Sequence, residues 1–166
     1  MLNTLWIDPH KDCRHPTADD RLGVVDFDDW KWPVREEEIM THDRVNSDPS
    51  NWDPALDAVT AAPKHHKVLF ENERLRVLEV TIEGQDEEPV HHHRWSSVFV
   101  LDQLQGPVHD IAPDGAPLPP NRDIMKAIED WNGKGCLVVH MAPQPPGRVR
   151  NASNKVIHGV RVEMKI

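Results

Sequence analysis

The sequence predicts an all-β domain preceded by an irregular N-terminal extension and carrying one short helix. Fifteen prolines and eight glycines punctuate its 166 residues, which leaves little room for long uninterrupted elements. Short runs rich in Val, Leu, Ile and Phe recur from Lys67 onward, the pattern of strands bounded by turns. Apolar residues at helical spacing are scarce. The length suits one principal domain.

Residues 1–62 read as the extension. They are acidic, rich in Asp and Pro, and hold Trp6, Trp30, Trp32 and Trp52. The expectation is a segment that packs on the domain or on a partner subunit, with tryptophans as anchors. A short strand is expected at 23–27 and a helical turn at 35–40. His10, Cys13 and His15, with Asp8 and Asp12 beside them, have the types to bind a soft metal. A solvated, unliganded cluster is the expectation so close to a terminus. His65 and His66 read as a polar lead-in to the domain.

The β signal begins with Val68-Leu69-Phe70, breaks at Glu71-Asn72-Glu73, and resumes from Leu75 to Ile82 with partial alternation. After Glu83-Gly84 and Pro89, His91-His92-His93 opens a run that continues through Ser97-Val98-Phe99-Val100-Leu101. A further strand is expected near Val108-His109-Asp110-Ile111, then a turn at Pro113-Asp114-Gly115. The helix falls at 123–131, with Asp123 near its start and Asn132-Gly133 as its stop. Cys136 to Met141 is the next strand. The proline-rich corner Pro143-Gln144-Pro145-Pro146-Gly147 leads to Arg148-Val149-Arg150, and the last strand follows Asn151-Ala152-Ser153-Asn154.

A net charge of −9 argues against nucleic acid and against an anionic membrane surface, since both select basic surfaces. No apolar run approaches the ~20 residues that span a bilayer. The N-terminus lacks the basic start and apolar stretch of a secretory signal. A cytoplasmic protein is expected, with Cys13 and Cys136 as reduced thiols. Asn151-Ala152-Ser153 matches the N-glycosylation pattern but has no compartment to act in.

His91-His92-His93 carries the chemistry. Strand side chains alternate, so His91 and His93 share a face and His92 takes the other. Two imidazoles about 6–7 Å apart along the backbone can converge on one metal ion. Trp95, Ser97 and Phe99 share their parity. An aromatic beside paired imidazoles makes a pocket with an apolar wall and a few polar groups, the usual make-up of a small-molecule site. Arg148 and Arg150 flank the proline corner; surface charge is the ordinary reading for them, and reaching a ligand carboxylate is the other.

From Leu69-Phe70-Glu71-Asn72-Glu73-Arg74-Leu75-Arg76-Val77-Leu78-Glu79-Val80, through Gly84, Pro89, His91 and His93, to the proline corner before Arg148-Val149-Arg150-Asn151, the chain resembles the cupin superfamily. That resemblance implies a double-stranded β-helix, or jelly-roll barrel, over residues 63–166. It also implies a homodimer, and a divalent metal such as Fe, Zn, Ni or Mn held by His91 and His93. The family's first motif places a glutamate after the two histidines; here that position is Ser97 or Val98. Its second motif places a histidine at Gly147 if Asn151 is the motif asparagine, or at Arg150 if Asn154 is. His140 and His158 are the candidate substitutes, with ordinary barrel-wall histidines as the other reading. The expected function is a small-molecule-binding cupin, whose metal would suit oxygenase or isomerase chemistry. The alternative is a metal-free binding or interaction module.

Overall fold

The computed structural model describes residues 48–131 and 134–165. Trp6, Trp30, Trp32, the His10, Cys13 and His15 cluster, the strand at 23–27, the turn at 35–40 and the stop at Asn132-Gly133 lie outside them.

The described chain starts with two 3-10 turns, Pro49–Asn51 and Pro54–Leu56, and a one-turn helix α1 (Ala58–Ala61). Asp48, Asp53 and Asp57 cap these elements, each accepting a backbone N–H two residues on, which satisfies a donor that the turn leaves open. The strands β1 (His66–Glu71), β2 (Leu75–Ile82), β3 (His91–His93), β4 (Ser97–Gln103) and β5 (Val108–Ile111) follow. After helix α2 (Arg122–Asp130) come β6 (Leu137–Met141), β7 (Gln144–Asn151) and β8 (Ile157–Met164). Asn121 caps α2 by accepting from the backbone N–H groups of Asp123 and Ile124. Ile124, Ala127, Ile128 and Trp131 of the α2 region pack against the core.

One sheet has the order β1-β2-β8-β4-β6 and the other β3-β7-β5. All pairings are antiparallel. Strands equally far from the chain's midpoint pair: β2 with β8, β3 with β7, β4 with β6. A bridge between Ile111 and Pro117 closes the innermost loop of this series. This is a long hairpin wound into two facing sheets, the jelly-roll arrangement.

Pairing stacks the inward side chains of the larger sheet in rungs. Arg76, Glu163, Ser97 and Met141 form one; Leu78, Arg161, Phe99 and Val139 form the next; Val80, Gly159, Leu101 and Leu137 form the third. One end of the barrel is therefore polar and the other apolar. The core runs from the apolar end along the remaining inward positions, with Leu78, Val80, Ile82, Phe99, Leu101, Leu137, Val139, Met141 and Ile157 all buried. Each such side chain contributes about 1.5–3 kcal/mol by leaving water. Gly159 is required where β8 passes β4, because a Cβ there would lie 2.5 Å from the Val100 carbonyl oxygen.

Two local expectations change. The run from His91 to Leu101 is two strands, because the chain turns at Arg94-Trp95-Ser96 and crosses from one sheet to the other. The proline-rich corner is the first half of β7. Its prolines are tolerated because they sit at a register shift: His91 pairs with Gly147 but His93 with Gln144. The β5 ladder has already ended at Arg148, so Pro145 and Pro146 owe it no N–H. Among the described residues no helix is long and apolar enough to cross a membrane.

Candidate metal centre

The three residues of β3 are all buried. His91 and His93 face the barrel interior. His92 turns away and donates from Nε2 to the Asp53 carbonyl oxygen at 2.9 Å, since a carbonyl oxygen only accepts. Its ring packs 5.3 Å from Trp52, beneath the segment that precedes β1.

A third imidazole completes the interior group. His66, the first residue of β1, sits opposite inward-facing Val80. Its ring centroid lies 4.7 Å from that of His91 and 5.0 Å from that of His93, while His91 and His93 are 5.2 Å apart. One nitrogen from each ring lies within 4.8 Å of the others. His66 therefore belongs to this cluster and is more than a polar lead-in; only His65 keeps that part, bonded to Asp86 at 3.2 Å.

Each ring is oriented through Nδ1. His91 Nδ1 lies 2.9 Å from the Pro89 carbonyl, His66 Nδ1 3.3 Å from the Ala62 carbonyl, and His93 Nδ1 2.6 Å from Glu163 Oε1. These acceptors make Nδ1 the protonated nitrogen and leave the Nε2 lone pair available. Burial, the main cause, pulls the pKa of all three rings down, that of His91 to about 4; the Arg161 charge adds to it. Three neutral imidazoles with free lone pairs form a donor set suited to a borderline divalent cation. The residues fit a metal.

The surrounding charge is organised around Glu163, which is 0% exposed. Its other oxygen accepts from Arg76 Nε at 2.6 Å, and Arg76 reaches Asp57 with its remaining nitrogens at 2.8 and 3.1 Å. Burial pushes the Glu163 carboxyl up and the Arg76 hydrogen bond opposes it; contact with a guanidinium holds it ionised. Glu88 is also buried, with Oε1 3.7 Å from His66 Nε2. That oxygen has no hydrogen bond among the described residues, and burial pushes the carboxyl up to about 8. A cation in the triangle would favour its ionised form, so Glu88 is the carboxylate nearest to serving as a further ligand.

The structure brings Ser97 and Phe99 into the same interior, both buried. It does not bring the others there. His140 lies exposed on the outer face of β6, where it lines a groove beside α2. His158 lies on the outer face of β8, with Nδ1 2.6 Å from Asp102. In both cases the intervening residues, Val139 and Met141 or Ile157 and Gly159, take the inward positions. Trp95 stands at the sheet-crossing corner, half-buried, 4.9 Å from Arg76 and 5.4 Å from Lys165. Arg150 is exposed, while Arg148 bonds Glu87 at 3.3 Å. Gly147 stands directly opposite His91, so β7 offers no side chain at that rung and β1 of the other sheet supplies the third ring. Asn151 is fully buried and clips the turn before β8, donating to carbonyls of Ile82 and Lys155 and accepting from Ser153. That burial leaves no place for a glycan.

No protein-family model matches the chain, and no curated protein matches it. Solved structures of low similarity include a cupin domain from Bordetella pertussis Tohama I, 21% identical, covering 61% of this chain and 92% of that chain at a TM-score of 0.43. An RmlC-like cupin family protein from Methanocaldococcus jannaschii is 11% identical and covers 60% of this chain and 77% of that chain, with a TM-score of 0.38. A polyketide cyclase from Streptomyces resistomycificus is 14% identical and covers 61% of this chain and 64% of that chain, with a TM-score of 0.35. The strand order is this chain's own: pairing of β2 with β8, β3 with β7 and β4 with β6 in two facing sheets makes it a double-sheet jelly-roll barrel, the fold that the cupin resemblance implies.

Proposed function

We propose that the protein binds a divalent metal through His66, His91 and His93 and uses it to engage a small molecule inside the barrel. One observation carries the reading: three buried imidazoles face one another while every Nδ1 is tied to an acceptor. Lone pairs held together in this way repel unless a cation sits among them. A bound metal would polarise a carbonyl, or offer open coordination positions, which suits isomerase or oxygenase chemistry. The chain's own residues supply the rest. Glu163 fixes the His93 tautomer, Pro89 fixes that of His91, and Phe99 with Leu78 provides a dry wall.

Metal content of the untagged protein tests this. The expected result is near-stoichiometric Fe, Zn, Ni or Mn by plasma mass spectrometry, lost in the His91→Ala/His93→Ala double variant. No bound metal, together with no thermal shift on adding any of these ions, would instead leave a metal-free binding module.

A further inference from the structure

The barrel interior holds a second set of unmet groups. Arg161 is 3% exposed and Ser97 0%. Arg161 donates from Nη1 to Gln144 Oε1 at 2.5 Å. Among the described residues, its Nε and Nη2 have no hydrogen-bond partner, and neither does Ser97 Oγ. Leaving a buried donor unmet costs about 1–3 kcal/mol, more when it is charged, so such groups call for an acceptor from outside the described chain.

The unmet nitrogens are a matched pair. Nε–H and one Nη2–H project in parallel from a single edge of the guanidinium, and such an edge takes both oxygens of a carboxylate. Nη1 is held by Gln144, the β7 partner of His93, which ties the fork to the ladder that carries the imidazoles. Glu163 Oε1 lies 3.9 Å from Nε, beyond hydrogen-bond reach, and is engaged by His93. On β4, Ser97 faces Glu163 and Phe99 faces Arg161. Ser97 is thus one inward step from Arg161, and the Phe99 ring lies 5.9 Å from its guanidinium carbon.

We infer that Arg161, aided by Ser97, anchors the carboxylate of a small organic acid whose other end reaches the imidazole triangle. The inference rests on the barrel interior being the ligand site proposed above, and it names the substrate class. Charge supports it. Glu163 and Asp57 balance Arg76 and Arg161, so a divalent cation opposed only by Glu88 leaves an excess positive charge that a monoanion neutralises. A planar two-oxygen anion matches the two-donor edge better than a tetrahedral phosphate does.

The test is calorimetric titration of the untagged protein with acetate, lactate and benzoate, each against its amide, and with inorganic phosphate. Metal content is measured on the same samples. At least one acid is expected to bind about tenfold or more tightly than its amide. Arg161→Lys keeps the charge but loses the parallel fork, and is expected to weaken that acid about tenfold or more with metal content unchanged. Ser97→Ala is expected to weaken it by a smaller factor, and decides the matter if Arg161→Lys does not fold. Acids that bind no better than amides, equal binding in both variants and wild type, or a preference for phosphate would overturn the inference. Stoichiometric metal with no acid binding would sink this inference and leave the metal centre standing. Acid binding that depends on Arg161 in a protein without metal would do the reverse.

Discussion

Replacing Glu163 by glutamine strikes the polar end of the barrel where it is most constrained. One carboxylate oxygen accepts from His93 Nδ1 and the other from Arg76 Nε, each at 2.6 Å, with no solvent exposure. A glutamine amide keeps one acceptor and turns the other into a donor. Either His93 or Arg76 then meets an N–H with its own N–H, and two buried guanidiniums lose their shared counter-charge. Breaking a buried charge pair from one side costs about 3–5 kcal/mol. Asp57 still holds the far edge of Arg76, which places the expected loss near about 3 kcal/mol. For a chain of this size, at about 2–4 °C per kcal/mol, that loss corresponds to a melting temperature roughly 6–12 °C lower. The same change frees His93 to rotate and to exchange tautomers, which lowers metal affinity about 10–100-fold. Urea unfolding of chelator-treated protein reads the first effect. Competition for zinc with a chromophoric chelator reads the second. A Glu163→Gln protein within about 0.5 kcal/mol of wild type, with unchanged zinc affinity, would show that Glu163 neither holds the polar end together nor orients His93.

Four further outcomes are expected. His66→Ala should lower metal occupancy as strongly as His91→Ala does, since the rings contribute equally to the triangle; near-full occupancy by mass spectrometry would exclude His66 as a ligand. Metal-free protein should lose stability as pH falls from about 6.5 to about 4, because the unfolded chain takes up histidine protons that folded His91, depressed to about 4, refuses. His91 alone is worth about 3 kcal/mol across that window, while Glu88, pushed up to about 8, Asp110, pushed up to about 6, and Glu163, also pushed up by burial, act with opposite sign; a melting temperature that rises toward pH 4 would contradict the balance of three rings against these three carboxyls. Gly159→Ala should destabilise by about 1–3 kcal/mol or more, as its Cβ would meet the Val100 oxygen at 2.5 Å; an unchanged urea midpoint would show that the strands separate freely. The edge strand β1 exposes Val68, Leu69 and Phe70, and a homodimer is expected to use them; Phe70→Glu should halve the solution mass, and an unchanged mass would remove β1 from that role.

The fold was legible because turns, and the helix, announce themselves chemically. Glu71-Asn72-Glu73, Pro113-Asp114-Gly115 and Asn151-Ala152-Ser153-Asn154 break the chain where strands end, and Asp123 lies in the first turn of α2. The candidate site was legible only in part. His91 and His93 are visible together because one strand carries both. His66 lies on another strand at an edge, where β1 shows one buried residue followed by five exposed ones, so no alternation points it inward. Arg161 and Glu163 were hidden by their neighbours. Val160 and Val162 suggest the apolar face of β8, yet the structure buries Gly159, Arg161 and Glu163 instead. Burial of that charged face becomes intelligible only once Arg76, His93 and Gln144 supply partners from distant strands. Glu88 belongs to no strand, and pattern reading has nothing to say about where it points.

Anomalous diffraction from a crystal of the untagged protein, collected at the absorption edge of the metal it carries, bears most directly on the central claim. One peak is expected inside the barrel, bounded by the Nε2 atoms of His66, His91 and His93. A peak anywhere else on the chain, or an interior with three imidazoles and no metal after growth with excess zinc, would contradict it.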